Sequence, residues 1–290
     1  MKWEGNRESD NVEDRRGGGG GGGFGFGGRS IGLGTVAIAL IASWLLGINP
    51  LTVLSMLSGG DPVPQVQEMP AQRPPANDQM AKFVSTVLAD TEDTWTALFR
   101  ESGASYVKPK LVLFSGRTPT ACGTGLTASG PFYCPGDQKV YIDLGFYRLM
   151  QQRFGVSGEF AQAYVIAHEV GHHVQNLMGI SAQVQDAQQR MSEKQANALS
   201  VRLELQADCF AGVWAYHANR ARSILEAGDV EAALNAATAI GDDALQRQAQ
   251  GQVVPDSFTH GTSAQRVRWF KRGIESGDIK ACNTFEARQL

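Results

Sequence analysis

Apolar positions along the 290-residue chain change their spacing several times, and each change marks an element. From Ile31 to Ile48 they run almost unbroken, and no Asp, Glu, Lys or Arg occurs between Ile31 and Gly60. A bilayer core of roughly 30 Å takes about 20 such residues in a helix, so this stretch predicts a transmembrane anchor over 31–58. It starts too far into the chain for a cleaved leader, behind a glycine-rich tail over 1–30. Beyond it, Met80, Phe83, Val84, Val87, Leu88, Trp95, Leu98 and Phe99 recur at helical spacing behind Asp78. They predict a helix over 78–101 with Asp78 as its cap. Leu111–Phe114 and Val140–Ile142 are short apolar runs on either side of a stretch rich in Gly, Thr and Pro, the pattern of two strands flanking an irregular loop.

After residue 157 the period is helical almost throughout. Phe160, Ala163, Ile166, Ala167, Val170, Val174 and Leu177 form one broad apolar face over 158–178, with Ser157 as a fitting cap and Gly179 as a stop. Ser192 and Gln195 have the spacing of a capping box and open a helix to about Ala227, before Gly228. Further helices are expected over 229–240, 242–250 and 263–276. The fold class expected is α+β and mainly helical, with a small sheet, preceded by one transmembrane helix. The domain plan is a cytoplasmic Gly-rich tail (1–30), the anchor (31–58), a Pro-rich stalk (59–77) and a folded domain (78–290) with a C-terminal helical cap.

Charge adds an orientation. Lys2, Arg7, Arg15, Arg16 and Arg29 precede the anchor and the first basic residue after it is Arg73, so the Lys/Arg bias keeps the amino terminus in the cytoplasm. The domain is then expected in the periplasm or outside the cell, on a single-pass protein of a bacterial inner membrane. A net charge of −3 and a pI near 6.0 give no field that would gather phosphates, which argues against nucleic acid as a partner. The run Gly17–Gly28 has no strand before it and reads as a linker, not as a dinucleotide fingerprint. Four cysteines allow two disulfides outside the cytosol. The short separation of Cys122 and Cys134 favours that pair, leaving Cys209 with Cys282.

The chemistry lies on the 158–178 helix, which carries His168-Glu169-Val170-Gly171-His172. Histidines at i and i+4 differ by about 40° around a helix, so both imidazoles reach one ion, and Zn2+ is the natural occupant. Left as mere hydrogen-bonding groups on an apolar helix they would cost several kcal/mol to bury. A zinc site with an open position needs a third protein ligand. Glu204 and Asp208, again at i and i+4, stand among Leu203, Leu205, Ala207, Phe210 and Trp214. One of these carboxylates can bind metal while the other accepts the remaining N–H of a ligating histidine. His173 is read as a second-layer or surface residue and His217 as facing away from Asp208. An oxyanion donor is sought among Tyr141, Tyr147, Tyr164 and His260, with His260 favoured. The strand over 139–144 is a candidate for pairing with an extended peptide.

On these residues the chain resembles the neutral zinc metallopeptidases of the YpfJ type, membrane-anchored bacterial gluzincins. The likeness covers nearly the whole chain and implies that 78–290 is a zincin-like catalytic metallopeptidase domain, with a small sheet and an active-site helix. It includes Met1-Lys2-Trp3-Glu4-Gly5 with Arg7-Glu8-Ser9, the glycine tract, Ala121-Cys122-Gly123, Pro131-Phe132-Tyr133-Cys134-Pro135, the stretch 167–175, the stretch 204–212 and His260-Gly261-Thr262. The resemblance implies His168, His172 and Glu204 as zinc ligands, Glu169 as general base and Asp208 as the partner behind a ligand. The expected function is a membrane-anchored zinc-dependent metallopeptidase that hydrolyses peptide bonds through a zinc-activated water, acting on a peptide or protein substrate, with an unidentified envelope protein as a further partner. The reading from another class is a catalytically silent zinc-binding scaffold or interaction module in the cell envelope, which would have no reason to keep Glu169.

Overall fold

The computed structural model of the chain describes residues 1–19, 72–127, 130–250 and 253–290. Its main sheet contains β1 (Val12–Asp14), β2 (Lys110–Phe114), β5 (Phe132–Cys134) and β6 (Lys139–Asp143), in the order β1-β2-β6-β5. β1 and β6 both run parallel to β2, and β5 is antiparallel to β6. β2 and β6 are covered on both faces, which is why they read as unbroken apolar runs and not as alternation. Leu111, Leu113, Val140 and Ile142 join the main core, while Val112, Phe114 and Tyr141 pack on the other face with Cys134 and Phe132. The stretch expected as an irregular loop contains a hairpin, β3 (Arg117–Thr120) with β4 (Gly123–Leu126), and the edge strand β5. The Cys122–Cys134 bridge joins the two, as expected from their spacing.

Eight helices follow among the described residues: α1 (Gln79–Glu101), α2 (Gly145–Phe154), α3 (Glu159–Leu177), α4 (Ile180–Gln188), α5 (Glu193–Arg222), α6 (Asp229–Ala239), α7 (Asp242–Gln250) and α8 (Ser263–Ser276). Asp78 caps α1 through the Ala81 N–H, at 3.0 Å. The Ser192–Gln195 box opens α5, with the Ser192 N–H donating to Gln195 Oε1 at 3.1 Å. Ser157 does not cap α3, whose cap position is Gly158, and α5 ends at Ser223 and not near Gly228. Glycine sets two helix crossings. A Cβ on Gly273 of α8 would collide with the backbone of Cys209 on α5. A Cβ on Gly171 of α3 would sit 3.0 Å from the Ala207 carbonyl of α5, tighter than a side chain normally tolerates. The Cys209–Cys282 disulfide then ties α5 to the C-terminal segment.

Two expectations are corrected. The predicted anchor over 31–58 and most of the predicted stalk lie outside the described residues; among those described, no helix is long and apolar enough to cross a membrane. The fold class shown by the described residues is therefore mainly helical with a small sheet, and a spanning helix is not among them. The predicted localisation, a single-pass inner-membrane protein with its first residues in the cytoplasm and its domain beyond the membrane, fails with it, and the described residues supply a physical reason. Met1–Arg16 belongs to the same compact unit as Ala71–Leu290. Glu92 is buried, and its carboxylate accepts from Ser9 Oγ at 2.5 Å, Asn11 Nδ2 at 2.7 Å and Arg7 Nη2 at 3.1 Å. Trp3 Nε1 donates to Glu159 at 2.8 Å, and its ring meets Phe83 edge-on. Arg7, Arg15 and Arg16, counted above as orientation signals, are paired with Glu92 and Asp93, with Glu13, and with Asp14 and Asp78.

A chain segment cannot pair its strand with a domain on the far side of a bilayer. Cysteines introduced as Asp10→Cys and Gln289→Cys, both at exposed positions, are expected to react alike with a membrane-impermeant maleimide in intact cells. Labelling of Gln289→Cys alone would restore the crossing.

Candidate metal centre

The close crossing at Gly171 and Ala207 brings the neighbouring side chains on the two helices face to face. His168 Nε2 lies 3.2 Å from Glu204 Oε2 and His172 Nε2 lies 3.4 Å from Glu204 Oε1. One donor atom from each of His168, His172 and Glu204 falls within 4.8 Å of the others, a group able to hold a metal ion. Two imidazole nitrogens and one carboxylate make a donor set that suits zinc with a position left for a further ligand. The orientation of the rings fits too. His168 Nδ1 contacts Asp208 Oδ1 at 2.8 Å, so Nδ1 carries a hydrogen and Nε2, the nitrogen turned towards Glu204, is the one that a metal would take on losing its proton.

Asp208 is itself held from three sides. Tyr164 donates its hydroxyl hydrogen at 2.5 Å, and Arg266 donates from Nε and Nη2, both at 2.9 Å. All four groups are buried. Burial works to protonate Asp208, but the charges of Arg266 and His168 outweigh it and hold the carboxyl down to about 2. The same contest runs through the ligands. Burial favours neutral imidazoles, yet the charge of Asp208, its hydrogen bond and that of Glu204 push His168 up to about 10. His172 is raised against burial by the charge of Glu204. Burial likewise opposes ionisation of Glu204, and the charge of His172 followed by the His168 hydrogen bond brings it well below the usual carboxylate range.

These groups open on a cleft of ≈ 1120 Å³, which Glu169 and His260 also line. Glu169 is nearly buried and stands outside the three-residue donor group. His260 has a half-exposed ring, with Nδ1 3.2 Å from Asp242 Oδ1, and Asp242 Oδ2 accepts the backbone N–H of Thr259, His260 and Gly261. The other three oxyanion candidates are placed less well. Tyr141 donates its hydroxyl to Asp137, Tyr147 is buried off the cleft, and Tyr164 spends its hydroxyl on Asp208. His173 is buried between Tyr133 and the Val107 carbonyl, and His217 contacts the Gly277 carbonyl, so both are structural. The expected role of the 139–144 strand is corrected: β6 is paired on both sides, and β5 is the edge that reaches the cleft.

Sequence reasoning missed Arg266, Asp242 and Gln175. A signal for Arg266 was present: with Trp269, Phe270 and Gly273 it falls at i, i+3, i+4 and i+7, on the buried face of α8. An arginine there requires a carboxylate partner. Gln175 accepts from His172 Nδ1 at 2.9 Å and carried no sequence signal, since a glutamine one turn from a histidine is common on any helix.

Such a donor set on two crossed helices could hold a zinc ion, and Glu169 lines the same cleft. Residues 1–285 match the model of the family described as "Putative neutral zinc metallopeptidase", and the chain belongs to that family. It is 54% identical over 285 residues to the uncharacterized protein YpfJ of Escherichia coli (strain K12), covering 98% of this chain and 99% of that one. It is 40% identical over 258 residues to an uncharacterized protein of Mycobacterium tuberculosis (strain H37Rv), covering 85% and 86% of the two chains. A relative in Mycobacterium bovis matches at the same identity and coverage. No solved structure matches.

Two outcomes follow from the electrostatics. Arg266→Met leaves Asp208 buried with one cationic partner fewer. It should cost about 3 kcal/mol of stability by urea denaturation and lower zinc affinity roughly 10–100-fold. Because both imidazoles are raised, a cation must displace protons from them, so zinc affinity should fall as pH falls from 8 to about 6. Calorimetry at neutral pH in buffers of differing ionisation enthalpy should show net proton release; a binding enthalpy independent of buffer would contradict it.

Proposed function

We propose that the chain is a zinc-dependent peptidase that hydrolyses peptide bonds with Glu169 as general base and His168, His172 and Glu204 as metal ligands. The observation that carries this reading is the convergence of both Nε2 atoms on Glu204, with Glu169 left over on the wall of the same cleft. Zinc held there supplies Lewis acidity, which acidifies water and polarises a carbonyl. Every other requirement falls to side chains of the chain itself.

Glu169 follows His168 directly, so the ligand helix fixes its carboxylate beside the reacting centre. It takes the proton of the attacking water and passes it to the departing amine, general acid–base work that contributes about 10²–10⁴-fold. His260 stabilises the developing oxyanion. Its hydrogen bond to Asp242 raises its pKa, against burial, and with Nδ1 engaged there Nε2–H is the donor left for the cleft that His260 lines. The outer edge of β5, with Phe132 and Tyr133 on the cleft wall, offers backbone groups to an extended peptide. An apolar wall of Phe132, Phe146, Leu149 and Val165 favours apolar side chains near the scissile bond.

A silent zinc scaffold would tolerate loss of Glu169. Glu169→Ala should retain one zinc per chain by elemental analysis and lose at least about 10²-fold of cleavage on a quenched peptide library, while His172→Ala should lose both. Cleavage that survives in pure Glu169→Ala protein would reject the mechanism.

A further inference from the structure

The two histidines of the metal group are oriented by different means. His168 leans on a charged partner, Asp208, whereas the Nδ1 of His172 meets a neutral amide, Gln175 Oε1, at 2.9 Å. We propose that Gln175 and Gln206 form a buried amide relay that fixes the tautomer of His172 and aims its Nε2 at the cation. This inference rests on the reading of His172 as a ligand.

Two backbone carbonyls decide the polarity of the relay. Leu203 O can only accept, so the Gln175 side-chain atom 2.6 Å from it is the amide nitrogen. The opposite atom, Oε1, must therefore accept from His172. Cys282 O, 3.1 Å from the Gln206 side-chain nitrogen, fixes the second glutamine in the same way. Gln206 Oε1 then accepts from Gln175 Nε2 at 3.1 Å, and every amide atom in the chain has one compatible role. With both ends acceptors, reversal would set oxygen against oxygen at Leu203 and at Cys282. Nδ1 of His172 must carry a hydrogen, so Nε2, 3.4 Å from Glu204 Oε1, is the nitrogen left for a cation.

The relay is held rigidly. Gln175 and Gln206 are buried, Leu203 and Gln206 share α5, and the Cys282 carbonyl belongs to a residue bonded covalently to Cys209 on that helix. Gln175 and Gln206 are positioning residues: neither lies in the donor group.

The test compares Gln175→Leu, which removes the acceptor, with Gln175→Glu, which keeps an acceptor for Nδ1–H but loses the donor to Leu203 O. Both should lower the thermal midpoint of the full-length chain. Only Gln175→Leu should weaken zinc binding, by roughly 10–100-fold, and alter the cobalt(II) absorption spectrum. If Gln175→Glu binds zinc as poorly as Gln175→Leu, or if a folded Gln175→Leu binds as the unaltered chain does, the relay is rejected. Should the leucine variant fail to fold, nitrogen NMR of the zinc-loaded unaltered chain decides: a one-bond N–H signal at His172 Nδ1 supports the relay, and its absence overturns it. Failure of the underlying function reading looks different, since an unaltered chain that takes up no zinc sinks both together.

Discussion

The approach of two helix backbones at Gly171 and Ala207 is the constraint on which the site depends. A Cβ at position 171 would stand 3.0 Å from a carbonyl oxygen, so a side chain there fits only if α5 gives way by a few tenths of an ångström. The residues that flank it, His168 three positions before and His172 directly after Gly171, and Glu204 three before and Asp208 directly after Ala207, are brought together by that contact. Their polar atoms lie within hydrogen-bonding distance because the backbones meet. The pattern His-Glu-x-Gly-His thus encodes two things in five positions: the spacing that puts both imidazoles on one face, and the missing side chain that lets the partner helix close on it.

Closing the helices buries His168 and Asp208 and half-buries His172 and Glu204, and buried charge is tolerated only when paired. Arg266 from α8 supplies the remaining cation, and it reaches Asp208 because α8 lies against α5 at Gly273. The second glycine crossing therefore serves the electrostatics of the first. The site is a three-helix construction, with α3 presenting imidazoles, α5 carboxylates and α8 the counter-charge that keeps Asp208 ionised behind His168.

What was legible in the sequence follows from how local each signal is. The spacing of His168 and His172, of Glu204 and Asp208, and the capping box at Ser192 all act within about one helical turn, and a chain can be read at that range. The strands β2 and β6 were legible because burial on both faces leaves an unbroken apolar run. The pairing of Arg266 with Asp208, the tie of Gln175 to His172 and the edge position of β5 depend on which elements meet in space. The sequence pattern of β6 does not say that β5 covers its outer side, and so the wrong strand was expected on the cleft.

The arm at the start of the chain shows why polarity along a sequence can mislead. Arg7, Ser9, Asn11, Glu13, Asp14, Arg15 and Arg16 read as a solvated tail, and with an apolar stretch downstream they read as a cytoplasmic one. Their partners reverse that reading. Glu92 lies on the buried part of α1 and needs several donors at once, which Arg7, Ser9, Asn11 and Lys108 provide. Glu13, on β1, is nearly buried and takes Lys110 and Lys139 from the neighbouring strands as well as Arg15. Without the arm Glu92 would be a buried carboxylate facing one lysine, a loss of the order of several kcal/mol. Polar residues that satisfy a buried charge are core residues in energetic terms, and hydropathy along the chain, which sees each side chain without its partner, counts them as surface.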